Sequence, residues 1–174
     1  MEPTTVTWAL LGLIRLRPRS GYDLKQAVDR AIRHFWAASY GQIYPELRRL
    51  EEAGWIAGKD AARGGRSRRV YRITPRGRRA LEDWLHGFET RIEVRDESLL
   101  RLFFADALPV AEGLGLLAAR REGYRRMLEY LRSLDDGTGA DPPFVDLVYR
   151  WGLDYCEWGI EWCDRQERRL RRAA

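Results

Sequence analysis

The 174 residues are 45% hydrophobic and 33% charged, which excludes an intrinsically disordered chain and suits one good core or two small ones of roughly 90 residues each. The longest uninterrupted apolar run, residues 8–14, is far short of the ~20 residues that a membrane span needs. The net charge of +5 is unevenly placed: residues 1–90 hold 17 Lys/Arg against 10 Asp/Glu, and residues 91–174 hold 14 against 16.

No basic stretch leading into an apolar core opens the sequence, so no leader peptide is expected and the chain is read as cytoplasmic. Cys156 and Cys163 are too few for a disulfide framework. With only His34 and His86 to help them they do not make a zinc site, so packed, reduced thiols are expected, with no metal and no cofactor.

The first predicted element is a helix over residues 4–16. Val6, Trp8, Leu10, Leu11, Leu13 and Ile14 make it apolar nearly all round, so it needs cover on more than one face. One face suits the core of its own domain; the other, through Val6 and Leu10, suits a second subunit. After the Arg17-Pro18-Arg19 break, Ser20 is an N-cap for a second helix with Leu24, Ala27, Val28, Ala31 and Phe35 as its buried stripe.

A third helix is predicted over about 39–52, with Ile43, Leu47 and Leu50 inward. Ser39 followed by Gln42 resembles a capping box, but that start puts Pro45 in the second turn, whereas a start near Gly41 makes it harmless. Gly54 ends the helix on either reading. Tyr40, Gln42, Tyr44, Arg48 and Arg49 are left facing outward.

Two strand-like runs follow, about 55–61 and 68–73, joined at Gly64-Gly65 as a hairpin. Residues 59–79 carry nine basic residues against Asp60 alone, a field that attracts polyanions. Thr74-Pro75 reads as N-cap and N1 of a fourth helix running to about Phe88 through Leu81, Trp84 and Leu85. Three helices, a basic hairpin and a further helix, in that order, predict a winged helix-turn-helix over 1–88. Its reading helix would present Gln42 and Arg48 to base edges, while Arg66, Arg68 and Arg69 of the wing would contact phosphate without reading sequence.

Residues 89–174 are helical throughout in pattern. Asp96 caps a short helix with Leu99, Leu100, Phe103 and Phe104. Pro109 opens a long one with Val110, Leu114, Leu117, Tyr124, Leu128 and Leu131 at 4-3 spacing, interrupted by Arg121. Past a polar loop at 135–143, Phe144, Val148, Trp151, Tyr155, Trp158 and Trp162 step likewise, beside a stripe of small residues, Gly152, Cys156, Gly159 and Cys163. Such a hairpin of heptad-like helices is a common dimerisation device, with Trp151, Trp158 and Trp162 at the contact. An aromatic effector pocket drawing on Phe35, Trp36, Phe103, Trp151 and Tyr155 is the competing use of these rings. The fold class is therefore mainly helical, an N-terminal winged helix-turn-helix with a β-hairpin wing plus an all-helical C-terminal domain.

Enzymatic readings fail on inventory. Gly113-Leu114-Gly115-Leu116-Leu117-Ala118 matches G-x-G-x-x-A but lies inside a helical pattern with no strand before it. No P-loop, metalloprotease or nucleophile-elbow motif is present.

The segments HFWAASYGQIYPELRRLEEAGWI (34–56) and GGRSRRVYRITPRGRRALEDWL (64–85) resemble the PadR family of phenolic-acid-responsive repressors. ALLGLIRLRPRSGYDLKQAV (9–28), RDESLLRLFFADAL (95–108) and YCEWGIEWCDRQ (155–166) fit the same pattern, so the resemblance covers nearly the whole chain. It implies a homodimer on a pseudo-palindromic operator in double-stranded DNA. Tyr22, Gln42, Tyr44 and Arg48 would lie in the helix-turn-helix and Arg66 and Arg68 in the wing; Ser39 and Tyr40 are further DNA-binding candidates. The resemblance also implies repression but does not fix a ligand. An adjacent gene is the expected target, and a small effector, with aromatic molecules as one class, is expected to relieve the repression. The alternatives are an activator without a small-molecule ligand, or a winged-helix module that docks on an acidic protein.

Overall fold

The computed structural model describes residues 2–32, 35, 40–63, 66–87, 95–134 and 142–173. The chain forms two compact units, Met1–Arg91 and Ile92–Ala174.

In the first unit, α1 (Thr5–Leu16) is followed by a two-residue strand β1 (Arg19–Ser20) and by α2 (Gly21–Ala31). A 3₁₀ turn at Tyr40–Gln42 leads into α3 (Ile43–Glu52). Strands β2 (Ile56–Arg63) and β3 (Arg66–Ile73) make the hairpin, and α4 (Pro75–Leu85) closes the unit. The sheet order is β1-β3-β2, all antiparallel, with Ser20 opposite Val70 and Asp60 opposite Arg69. This is a winged helix-turn-helix. The short strand β1 was not legible because two residues carry no alternation to detect.

Local chemistry sets the element ends. Thr4 with Thr7, and Ser20 with Asp23, form reciprocal capping boxes on α1 and α2. The α-helix of α3 starts at Ile43, later than either predicted start, so Pro45 falls at the third helical position. There its missing N–H would have had no partner in the helix anyway. Gly54 takes φ +71° after α3. Thr74 caps α4 and also donates to the Gly54 carbonyl at 2.7 Å. Gly77 is obligatory there, since a Cβ would sit 2.0 Å from the Trp55 carbonyl oxygen. The α4 helix stops at Leu85; Phe88, where it was expected to end, lies outside the described residues.

Leu10, Leu11, Ile14, Leu24, Ile43, Leu47, Leu50 and Ile56 are fully buried in one cluster. Trp8 lies between Trp55 and Trp84, with ring centroids at 5.7 and 5.3 Å. The second apolar face of α1 is thus covered from within. Val6 and Leu10, expected at a subunit contact, are instead core residues with 8% and 0% exposure, which leaves them no area to offer a partner. Leu85 and Trp84, expected along the buried side of α4, are largely exposed apart from the Trp84 stack. Phe35, expected on the buried stripe of α2, is 47% exposed, and the side chain of Ala31 is not among those described.

The second unit contains α5 (Glu97–Phe103), a 3₁₀ turn (Ala105–Ala107), α6 (Val110–Leu134) and α7 (Pro143–Ala173). The stripe of α7 that packs on α6 is the small one: Gly152, Cys156, Gly159 and Cys163 are buried, and the Tyr124 ring leaves no room for a Cβ at Gly159. The aromatic stripe beside it stays largely outside the hairpin. Its buried cluster is thin, with Leu128, Leu131 and Cys156 at the centre, and Leu117 and Cys163 also buried. Among the described residues no helix is long and apolar enough to cross a membrane.

Candidate nucleic-acid interface

The α2–α3 pair brings one polar face together. Ile43, Leu47 and Leu50 turn inward, which leaves Gln42, Tyr44 and Arg48 exposed. The Tyr44 ring lies on the backbone of Gly21 at the start of α2, where a Cβ would come within 2.6 Å of it. Tyr22, one residue on, is 60% exposed and accepts a hydrogen bond from the Gln26 amide at 3.1 Å. Tyr22, Gln42, Tyr44 and Arg48 therefore share an exposed surface built from the first turns of two helices. Ser39 and Trp36 lie outside the described residues, and the side chains of Tyr40 and Arg66 are not among those described.

Two wing arginines, Arg68 and Arg69, are not free cations. Arg68 is ion-paired with Asp23 of α2, and its Nε is buried without a hydrogen-bond partner. The same Asp23 oxygen accepts from the Ser20 backbone N–H at 3.0 Å. One carboxylate thus joins the cap of α2, strand β1 and strand β3. Although partial burial works against ionisation, hydrogen bonds from Ser20 and Arg68 hold the Asp23 carboxyl below its ordinary value. Arg69 reaches Glu51 of α3 at 2.7 Å and Asp60 of β2 at 3.3 Å. The hydrogen bond from Arg69 keeps the Glu51 carboxyl low, and Gly58 donates to the same carboxylate at 2.8 Å. The wing is strapped at both faces to the helices that precede it.

Inside α3, Glu46 is buried and takes hydrogen bonds from the Thr7 hydroxyl and from Arg49 at 2.7 Å. That bond turns Arg49, expected to face outward, partly back onto its own helix. The signal was available: at about 100° per residue Glu46 falls in the same arc as Ile43, Leu47 and Leu50. The Asp23–Arg68 and Glu51–Arg69 straps had none, because each joins residues that only the fold brings together.

In the second unit Trp151 and Tyr155 stack at 5.3 Å and Tyr155 and Trp158 at 6.2 Å, while Trp162 lies tilted to Trp158 at 6.5 Å. Trp151, Tyr155 and Trp158 keep 48%, 38% and 51% of their surface exposed. Phe103 is edge-on to Phe104 on α5 and 78% exposed. Of the rings expected at an effector pocket, Trp151 and Tyr155 touch each other; Phe35 belongs to the first unit, and Trp36 lies outside the described residues. Arg120, buried on α6, binds Asp96 at 2.7 Å together with Ser98 and Tyr124, so it hangs the capped start of α5 on the hairpin. Burial pushes both cysteine thiols up, and neither is disulfide-bonded. Among the described residues no group of His, Cys, Asp and Glu is arranged to hold a metal ion.

The profile of the transcriptional regulator PadR-like family matches residues 10–83, and that of the virulence activator alpha C-terminal region matches residues 94–171. A crystal structure of Bacillus subtilis PadR in complex with operator DNA superposes with a TM-score of 0.85 at 27% identity, covering 96% of this chain and 99% of that one. Residues 10–83 belong to the PadR-like family of transcriptional regulators. That family consists of regulators, not enzymes.

The two matches leave residues 84–93 between them, a stretch that includes the boundary between the two units of this PadR-like chain. The Bacillus subtilis negative transcriptional regulator PadR is 34% identical over 111 residues, which span 63% of this chain and 61% of the relative. The probable transcriptional regulator Rv1176c of Mycobacterium tuberculosis is 29% identical over 83% of this chain and 86% of its own length. Bacillus subtilis PadR has also been solved in complex with p-coumaric acid, superposing with a TM-score of 0.78 at 27% identity over 97% of this chain and 99% of that one. The Vibrio cholerae virulence activator AphA superposes with a TM-score of 0.72 at 25% identity over 98% of this chain and all of that one.

Proposed function

We propose that this chain works in the cytosol as a homodimeric regulator that binds a pseudo-palindromic operator in double-stranded DNA and represses an adjacent gene. The observation that carries the reading is the exposed surface of Tyr22, Gln42, Tyr44 and Arg48 at the start of two helices, beside a basic hairpin. Gln42 and Arg48 have the donor and acceptor chemistry to read base edges in the major groove. Arg68 and Arg69, already engaged by carboxylates, hold the wing in place; Arg66, nearer its tip, is the wing residue assigned to phosphate. Residues 1–88 carry this DNA-binding role and 89–174 the dimer, held through the exposed aromatic row of α7.

A small aromatic effector relieves the repression. Support comes from the p-coumaric acid complex of the Bacillus relative and from the stacked, accessible Trp151 and Tyr155. An activating role is the second reading, favoured by the match of residues 94–171 to the virulence activator region.

Selection from a random duplex library tests the reading. The enriched sequence should be an inverted repeat whose half-sites lie about one helical turn apart, ~34–36 Å. Gln42→Ala and Arg48→Ala should each lower discrimination against random DNA by roughly 1–3 kcal/mol. Failure to enrich any sequence contradicts the proposal. Addition of p-coumaric acid should release the selected duplex, and retention would remove this effector from the account.

A further inference from the structure

The last two turns of α7 carry charge that the packing of the second unit does not use. Residues 165–174 hold five arginines and one glutamate, whereas residues 91–164 hold 9 Lys/Arg against 15 Asp/Glu. Arg165 and Arg171 are paired along the helix with Glu161 and Glu167 at 3.4 and 2.8 Å. Arg168, Arg169 and Arg172 are exposed and, among the described residues, have no acidic partner. Arg165, Arg168, Arg169 and Arg172, with Ala173, line an open cleft of about 310 Å³.

The positions are spaced i, i+3, i+4, i+7, so the four guanidinium groups share one helix face. At 1.5 Å per residue that face is about 10 Å long. The helix dipole accounts for cations in the last turn, here Arg171 and Arg172, but Arg165, Arg168 and Arg169 precede it. The cleft has no carboxylate and no ring to hold a sugar or base. It offers repeated planar forks of N–H donors, the geometry that suits phosphate oxygens. An open cationic strip about 10 Å long suits about two successive phosphates of one strand, which rise ~3.4 Å each along the axis and also wind around it.

We infer that the arginine face at the C-terminal end of α7 is a second phosphate-binding surface, which engages the backbone of double-stranded DNA without reading its sequence. It rests on the DNA-binding reading above. Its contribution is sequence-independent affinity, separate from the discrimination assigned to Gln42 and Arg48.

The test is binding of the full chain to a random duplex by fluorescence anisotropy across a salt series, for the wild type and for Arg168→Ala/Arg169→Ala/Arg172→Ala. Because log K falls by about 0.9 per log salt for each neutralised phosphate, the variant should lose about two units of slope. It should keep its preference for the selected repeat over random DNA. Lysine at the same three positions should retain most of the slope, since counterion release follows charge. An unchanged slope in the alanine variant overturns the proposal while leaving the winged-helix reading intact. So does loss of the dimer by that variant in sedimentation, which would assign the strip to a second copy of the chain. A wild type that binds no duplex contradicts the DNA-binding reading and this surface together.

Discussion

The winged-helix unit and the helical unit solve the problem of covering apolar surface differently. In the first, α1 is apolar nearly all round, yet its large apolar side chains other than the terminal Leu16 find cover inside the unit. Leu10, Leu11 and Ile14 meet the core, and Trp8 is held between Trp55 and Trp84. In the second, the small stripe of α7 is used against α6 while Trp151, Tyr155 and Trp158 remain about half exposed. Large exposed apolar patches on soluble proteins mark interaction sites. An apolar helix is therefore not by itself a sign of a partner; the sign is an apolar face left over after the fold has closed.

The largest expected effect follows from that contrast. Trp151→Glu with Trp158→Glu places charge on surfaces that are already accessible in the single chain. The chain should fold but fail to dimerise, and binding to the selected repeat should be lost although no DNA-facing residue has changed. Unaltered dimerisation in sedimentation would move the contact elsewhere.

Leu10→Ala attacks the self-sufficient side. Because Leu10 is fully buried, about 2–5 kcal/mol of stability should be lost on denaturant unfolding. A loss of dimer without a loss of stability would restore α1 to the subunit contact.

Both expectations show what the sequence disclosed. Periodicity located α1, α2, α3 and α4 and the two long helices, and the cap residues Ser20, Thr74 and Asp96 marked helix starts that the structure keeps. What stayed hidden depends on which of two stripes on one helix faces inward. On α7 both run at helical spacing, and the choice is made by the Tyr124 ring, which only a glycine at 159 admits. The ties of the wing stayed hidden for a related reason. A run of arginines states a charge, but Arg68 and Arg69 are claimed by Asp23 and Glu51, which lie far from them in sequence.

Arg68→Ala sharpens that point at a smaller scale. If Arg68 is a strap, the variant should bind all duplexes less tightly with an unchanged salt slope, since no phosphate contact disappears. A slope reduced by about 0.9 would make it a phosphate ligand after all.

The smallest effect is on pH dependence. The Asp23 and Glu51 carboxyls are held low in the folded chain, so the stability they contribute is complete above the ordinary carboxylate range of about 4 and is lost as pH falls through their depressed values. Thermal unfolding of Asp23→Asn/Glu51→Gln should therefore depend less on pH than that of the wild type in this acid window. Parallel curves would show that the straps add nothing to stability.

The account depends most on the aromatic row of α7 being a covered surface in solution. Sedimentation equilibrium of the wild-type chain at micromolar concentration measures this directly. A dimer is the predicted result, and a folded monomer would contradict the proposed architecture.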